Sequence, residues 1–404
     1  MKNYFFTLFV RFFVAFSGLI VFVISSKLYG AEGRGVIGFG TAIVSLFCLI
    51  LSFNLGRSFL FETKSNKNLK QKLLPNYLAI HYLLIIAGIF ISGMFWYLNA
   101  NARVIIDSKA MMAFLILAPF YVWSVNGNAI YATLNKTTKQ DFVIFIQRLV
   151  LVSVILLIFK LNIKDIRVFL FVYALVLCFG TIIEMGLLGS PLKGISQIHN
   201  IGQYISDSKF VHVDYLAFNI YPLILMIFSG LFLNLAELGK LNFLVQLVNF
   251  IFILPVVASI RMKTYVAAKG ASQYLASIKK LFLFTLIVSV ISIIVIFAFL
   301  NTSFFNKYFS SFDDVFIYFL IVSLAIPGYI AYQFIYPILI EYNQIHLSMK
   351  INLLILIILV SLTHPILKHY GLVGGVSLFA LFYLLVLLAQ FYLYRRLRPM
   401  LISN

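Results

Sequence analysis

The sequence predicts an all-helical integral membrane protein with about twelve transmembrane helices, and three observations lead there. Of 404 residues, 63% are hydrophobic and only 11% charged, with a mean hydropathy of +1.04. A soluble chain carries charge on about a quarter of its residues, so this one cannot cover a water-facing surface of its size. The apolar stretches then run for about twenty residues without the polar alternation of a barrel strand, which makes them helices long enough to cross a bilayer. Finally, the connections are short and basic, and none has the length of an independent domain.

Windows of this kind predict spans near 5–26, 36–56, 76–98, 111–133, 142–159 and 168–189, then 213–234, 241–260, 281–300, 315–336, 347–363 and 372–394. Loops are expected over 57–75, 190–211 and 261–280. The first apolar run carries Arg11 and continues to Lys27 without a small-residue cleavage site. It is therefore expected to be a retained first span rather than a signal peptide. Cys48 and Cys178 lie inside apolar runs, and the six histidines are scattered, so neither a disulfide nor a metal site is expected.

The net charge of +19 does not indicate nucleic acid, because the basic residues sit in short connectors that form no groove-reading element. It sets orientation instead. With the N-terminus in the cytoplasm, 18 of the 31 Lys and Arg residues fall inside and 10 outside; Arg11, Arg148 and Lys350 lie in spans or at their edges. The excess predicts that both termini are cytoplasmic.

An internal echo suggests a repeat. Ala31-Glu32-Gly33-Arg34 and Ala236-Glu237-Leu238-Gly239-Lys240 occupy the first hairpin of each half, and the same offset carries Tyr131 to Tyr336. Two six-helix lobes, 1–205 and 206–404, are expected to run parallel, since an even number of spans returns the chain to its starting side.

Three motifs carry a resemblance. Leu28-Tyr29-Gly30-Ala31-Glu32-Gly33-Arg34-Gly35-Val36-Ile37-Gly38 looks like a glycine-rich turn between the first two spans. Asp214 and its span lead into Leu235-Ala236-Glu237-Leu238-Gly239-Lys240-Leu241 and a helix reaching Leu254-Pro255. His369-Tyr370-Gly371-Leu372-Val373-Gly374-Gly375 opens the last span. Together these resemble the Wzx-type O-antigen or polysaccharide flippases of the MATE-like (multidrug/oligosaccharidyl-lipid/polysaccharide) exporter superfamily. The resemblance implies a MATE-like pair of lobes around a central cavity. It also implies transfer of undecaprenyl-pyrophosphate-linked oligosaccharide from the cytoplasmic to the periplasmic leaflet of a bacterial inner membrane. No covalent chemistry, catalytic residue or cofactor belongs to that function. The partners implied are the lipid-linked substrate, bilayer lipids, H+ or Na+ as coupling ion and other polysaccharide assembly proteins. Two alternatives stay open: a cation-coupled multidrug antiporter of the same superfamily, and an integral-membrane glycosyltransferase or polymerase.

Ionisable residues within spans are costly and mark function by default. Arg11, Arg148 and Lys350 are the substrate-binding candidates, because a lipid pyrophosphate needs fixed positive charge and the guanidinium fork of the two arginines suits phosphate oxygens. Snorkelling to the headgroups is the competing expectation, strongest for Lys350 near the cytoplasmic edge. Glu184 and Asp214 are the acids within the predicted spans, and are candidates for ion coupling or charge pairing. Asn54, Asn126, Asn128, Asn219, Gln246, Asn249 and Gln333 are either sugar contacts or interhelical glue. Trp96 and Trp123 are candidates for stacking on sugar rings, with interfacial anchoring the default expectation for Trp96 at a span end.

Overall fold

The computed structural model describes residues 2–63, 67–190, 201–269, 271–312, 314–342 and 344–402. The predicted connections at 64–66 and 191–200 lie outside the described residues, as do the side chains of 261–277. The described chain is helical throughout. It groups into two units, one formed by 1–29 and 36–212, the other by 30–35 and 213–404.

The first unit contains α1 (Lys2–Leu51) apart from residues 30–35, then α2 (Leu55–Thr63), α3 (Lys67–Leu98), α4 (Ala100–Ile105), α5 (Ser108–Ile116), α6 (Ala118–Thr133), α7 (Thr137–Lys160), α8 (Ile166–Gly186) and the start of α9 (Ile201–Phe232) up to His212. The second contains the rest of α9, α10 (Leu235–Lys269), α11 (Ala271–Leu300), α12 (Ser303–Tyr308), α13 (Val315–Ser323), α14 (Ile326–Glu341) and α15 (Ile345–Ile402).

Among the described residues, ten helical segments are apolar and long enough to cross a membrane, and two of them are too long to cross once. Phe9–Leu51 has 43 residues and Ile345–Leu397 has 53. At about 1.5 Å per residue each would far exceed a hydrocarbon core of about 30 Å. Each contains one glycine with a positive φ, Gly30 (62°) in α1 and Gly371 (53°) in α15. At Gly371 the helix folds back on itself: a Cβ at Gly374 would lie 2.8 Å from the carbonyl oxygen of Ile366, eight residues earlier. A straight helix would separate those residues by about 12 Å. Counting each of the two long segments as a hairpin makes twelve spans, as the sequence predicts.

The fourth span of each unit is broken at the same place by the same cause. α5 passes to α6 at Leu117-Ala118-Pro119, and α13 to α14 at Leu324-Ala325-Ile326-Pro327. Proline removes one ladder hydrogen bond, and its ring crowds the preceding turn, so the helix restarts with the proline in its first turn.

The structure departs from the expected loops. α3 begins at Lys67, and α10 runs on to Lys269. Hydropathy detects where a helix leaves the hydrocarbon, whereas Lys, Gln and Leu stretches keep high helix propensity in water. The fifth span also starts earlier than expected, at Thr137.

At one end of the first unit, Asp107 and Asp165 cap α5 and α8, accepting from the amides of Ala110 and Arg167 at 2.9 Å each. Arg167 also reaches the Asp107 carboxylate, with its NH2 group 2.7 Å away. Partial burial works to raise the Asp107 pKa, but the Ala110 amide and the Arg167 guanidinium outweigh it and hold the group below its ordinary value.

Candidate functional site

In the first unit, the polar residues of α1, α6, α7 and α8 converge on a small pocket of about 140 Å³. Their arrangement follows from helical periodicity. On α7, Gln140 and Asp141 recur seven residues later as Gln147 and Arg148, two turns apart and therefore on one side. On α6, Trp123, Gly127 and Tyr131 line up every four residues. Glu184 on α8 receives both sets.

Glu184 is 5% exposed. Its carboxylate accepts from the Trp123 indole at 3.0 Å and from the Gln140 amide at 3.1 Å. The Tyr131 hydroxyl donates to its backbone carbonyl at 2.6 Å. Trp123 is backed by the buried His81 ring, edge-on at 5.3 Å. The expectation that Trp123 stacks on sugar is not supported, since the indole is 2% exposed and engaged on both sides. Trp96, half-buried at the end of its span, donates its N–H to the Ile106 carbonyl at 2.9 Å.

Arg11 has two partners, Asn128 at 3.0 Å and Asp141 at 3.5 Å. Thr7 donates to the other Asp141 oxygen at 2.5 Å. Asp141 is 1% exposed within α7, so the expected set of intramembrane acids, Glu184 and Asp214, was one short. The predicted span opened at Phe142, the first apolar residue, and so left Asp141 in a loop. Arg148 makes no ion pair among the described residues. Its guanidinium lies 5.6 Å from the Phe120 ring, and its Nε is buried without a hydrogen-bond partner. The Arg11 Nε is in the same state. Both arginines lie within electrostatic reach of Glu184. The cluster therefore balances two guanidiniums against two carboxylates while leaving donor capacity open at each arginine.

The second unit treats its acid differently. Asp214 on α9 is fully buried, and accepts from the Tyr332 hydroxyl on α14 at 3.0 Å and the Asn352 amide on α15 at 2.9 Å. Tyr332 is itself stacked on Phe218, with ring centroids 3.5 Å apart. Lys350, two residues before Asn352, is exposed and makes no ion pair among the described residues. Asp214 and Lys350 are thus in a different unit from Arg11, Arg148 and Glu184.

Of the polar span residues, Asn126 is plainly glue. Its side chain accepts from the Gly56 amide at 2.9 Å and donates to the Ser52 carbonyl at 3.0 Å, fixing α6 to the start of α2. A further polar cavity of about 600 Å³ lies at the basic end of the first unit, lined by Lys70, Thr133, Asn135, Lys136 and Ser190 among others. Sequence reading singled out none of these as a site. Among the described residues, no group of three His, Cys, Asp or Glu side chains is placed to hold a metal.

No protein-family model matches the chain, and no curated protein does. Solved structures do. The chain is similar to Lipid II flippase MurJ in an inward closed conformation, with a TM-score of 0.70 and 15% identity over 98% of this chain and 87% of that one. It is also similar to an inward-facing multidrug resistance MATE family transporter of the MOP superfamily, with a TM-score of 0.67 and 13% identity over 99% of each chain. The eukaryotic MATE transporter AtDTX14 matches with a TM-score of 0.61 and 14% identity over 99% of this chain and 98% of that one. At these identities what is shared is the fold. The chain is an all-α membrane protein with a MATE-like fold, one used by transporters and flippases.

Proposed function

We propose that the protein is a flippase that moves undecaprenyl-pyrophosphate-linked oligosaccharide units, of O-antigen, capsule or a related polysaccharide, from the cytoplasmic to the periplasmic leaflet by alternating access. One observation carries the proposal: two guanidiniums, Arg11 and Arg148, border a membrane-depth pocket with buried Nε donors that no protein group uses. Arginine keeps its charge at any physiological pH and offers planar pairs of donors, the geometry that phosphate oxygens accept. Lipid pyrophosphate is the anionic substrate class that a membrane-buried pocket meets. The likeness in fold to a lipid II flippase supports the same class.

In this proposal Arg11 exchanges Asp141 for the substrate phosphate, and Asp141 and Glu184 supply the counter-charge when the site is empty. Glu184 is also the proposed carrier of a coupling H+ or Na+. Lys350 is proposed to meet headgroups at the membrane edge, and Asp214 to pair structurally. In the same proposal both termini face the cytoplasm and the membrane is a bacterial inner membrane. A thiol reagent applied outside intact cells should then fail to label cysteines introduced at Lys67 or Lys269.

A second reading, a cation-coupled multidrug antiporter, is favoured by the buried acids Asp141, Glu184 and Asp214 and by the likeness to a MATE transporter. Vesicles containing the purified protein separate the two. The flippase reading expects protection of a labelled lipid-linked glycan from an outside reagent to change with time, with no new glycosidic bond. Drug efflux without glycan transfer would favour the antiporter, and polymer growth would favour an enzyme.

A further inference from the structure

In the second unit, α11, α14 and α15 enclose an apolar groove of about 440 Å³ that the transport reading does not use. It is lined by Phe282, Phe334, Leu387 and the half-exposed Phe391, with Lys279 and Tyr394 at its charged end. The Arg395 guanidinium lies 4.5 Å from the centroid of the Phe391 ring, at the same end. Lys279, Lys280, Arg395 and Arg396 are all exposed, and none makes an ion pair among the described residues.

The two parts of this groove sit at different depths for a simple reason. Lys279 falls at the start of the span Ile278–Leu300, and Arg395 at the end of the span that closes at Leu397. The cations therefore belong at the headgroup level, and the aromatic interior points into hydrocarbon. An apolar groove at that depth does not hold water; left empty, it forfeits dispersion contacts along its whole lining.

We propose that this groove binds an anionic glycerophospholipid of the surrounding bilayer, with one acyl chain between α11 and α14 and its phosphate held by Lys279 and Arg395. Two observations choose this occupant. The most apolar window of α11 is only 11% buried, and Leu283, Phe284 and Ile287 are exposed on it, so the groove opens beside a helix that faces bulk lipid. Among the described residues, the exposed charged groups at the rim are all basic, which selects a net-negative headgroup over a zwitterionic one. Bulk phospholipid also outcompetes a scarce carrier lipid by mass action at any site without special affinity for the latter.

Native mass spectrometry of the full-length protein, taken from nanodiscs of equal phosphatidylglycerol and phosphatidylcholine, tests this. The wild type should retain phosphatidylglycerol in preference. Lys279→Gln with Arg395→Gln should lower that preference about tenfold or more, given the attraction of two basic groups at a membrane surface. Ala331→Trp should fill the groove and lower retention of both lipids, and Leu387→Trp serves as a second filler should the first fail to give monodisperse protein. Unchanged phosphatidylglycerol retention in the charge variant, or in both groove-filling variants, would overturn the proposal. So would retention of added undecaprenyl phosphate in place of phospholipid. None of these outcomes depends on glycan transfer.

Discussion

Arg11 on α1 stands 3.5 Å from Asp141 on α7, and this pair joins the first span of its unit to the fifth. Asp141 is almost wholly buried, whereas the Arg11 side chain keeps 29% of its exposure. Removing the arginine alone strands a carboxylate in the membrane interior. Removing both leaves a neutral contact. Arg11→Ala should therefore reduce stability by up to about 3 kcal/mol, the lower end of the cost of breaking a buried pair. Asp141→Ala added to it should restore most of the loss. Thermal unfolding of detergent-purified protein measures both; strictly additive losses would show that the pair is not coupled.

Glu184→Gln tests the acid at the centre of the cluster. Glutamine keeps the size of the side chain and an oxygen that can accept from Trp123, so fold and yield should persist. Transport driven by a proton or sodium gradient should fall by at least about tenfold if the carboxylate carries the ion. Uptake that still follows the gradient at the wild-type rate would reduce Glu184 to a structural acceptor for Trp123 and Gln140.

Asp214 should behave in the opposite way. Tyr332 and Asn352 both donate to it, so Asp214→Ala takes a buried acceptor from two donors and should cost about 2–4 kcal/mol. Asp214→Asn, which keeps one acceptor oxygen, should cost less. Transport per folded molecule should stay near the wild-type value in the asparagine variant. A large loss of rate at unchanged melting temperature would instead place Asp214 in the transport cycle.

The Asp107–Arg167 pair makes the stability of the first unit depend on acid. The folded-state pKa of Asp107 is depressed, so its contribution is fully present above the unfolded value of about 3.9 and is lost as pH falls through the lower folded value. The pair is about half exposed, so solvent screening keeps its contribution small. Asp107→Asn should melt slightly below the wild type at neutral pH, and the gap should close under acid conditions. A gap that widens on acidification would contradict this sign.

Much of the fold was legible because hydropathy is a property of single helices. Twelve apolar windows correspond to ten segments, two of them bent at Gly30 and Gly371, and both glycines stand in the motifs that carried the resemblance. The helical extensions at Lys67 and Lys269 were not legible, since leaving the membrane does not end a helix. The site was half legible. Arg11, Arg148 and Glu184 stood out as charges in apolar runs, and the structure brings them together. Asp141 was lost to a window that opened one residue later, although its seven-residue spacing from Arg148 was there to be read. Trp123, Tyr131 and His81 join the cluster through packing between helices, which one helix's periodicity does not encode.

Phosphate binding by Arg11 is tested most directly by the initial rate of leaflet transfer of a labelled undecaprenyl-pyrophosphate-linked glycan by Arg11→Lys, normalised to folded, monodisperse protein in vesicles. Lysine keeps the positive charge opposite Asp141 and can still reach the headgroups, but it lacks the planar fork. Unchanged yield and melting temperature are expected, with a transfer rate lowered by at least about tenfold, the loss of one charge-assisted hydrogen bond. A lysine variant that transfers glycan at the wild-type rate would contradict the role of Arg11 as the phosphate-binding group.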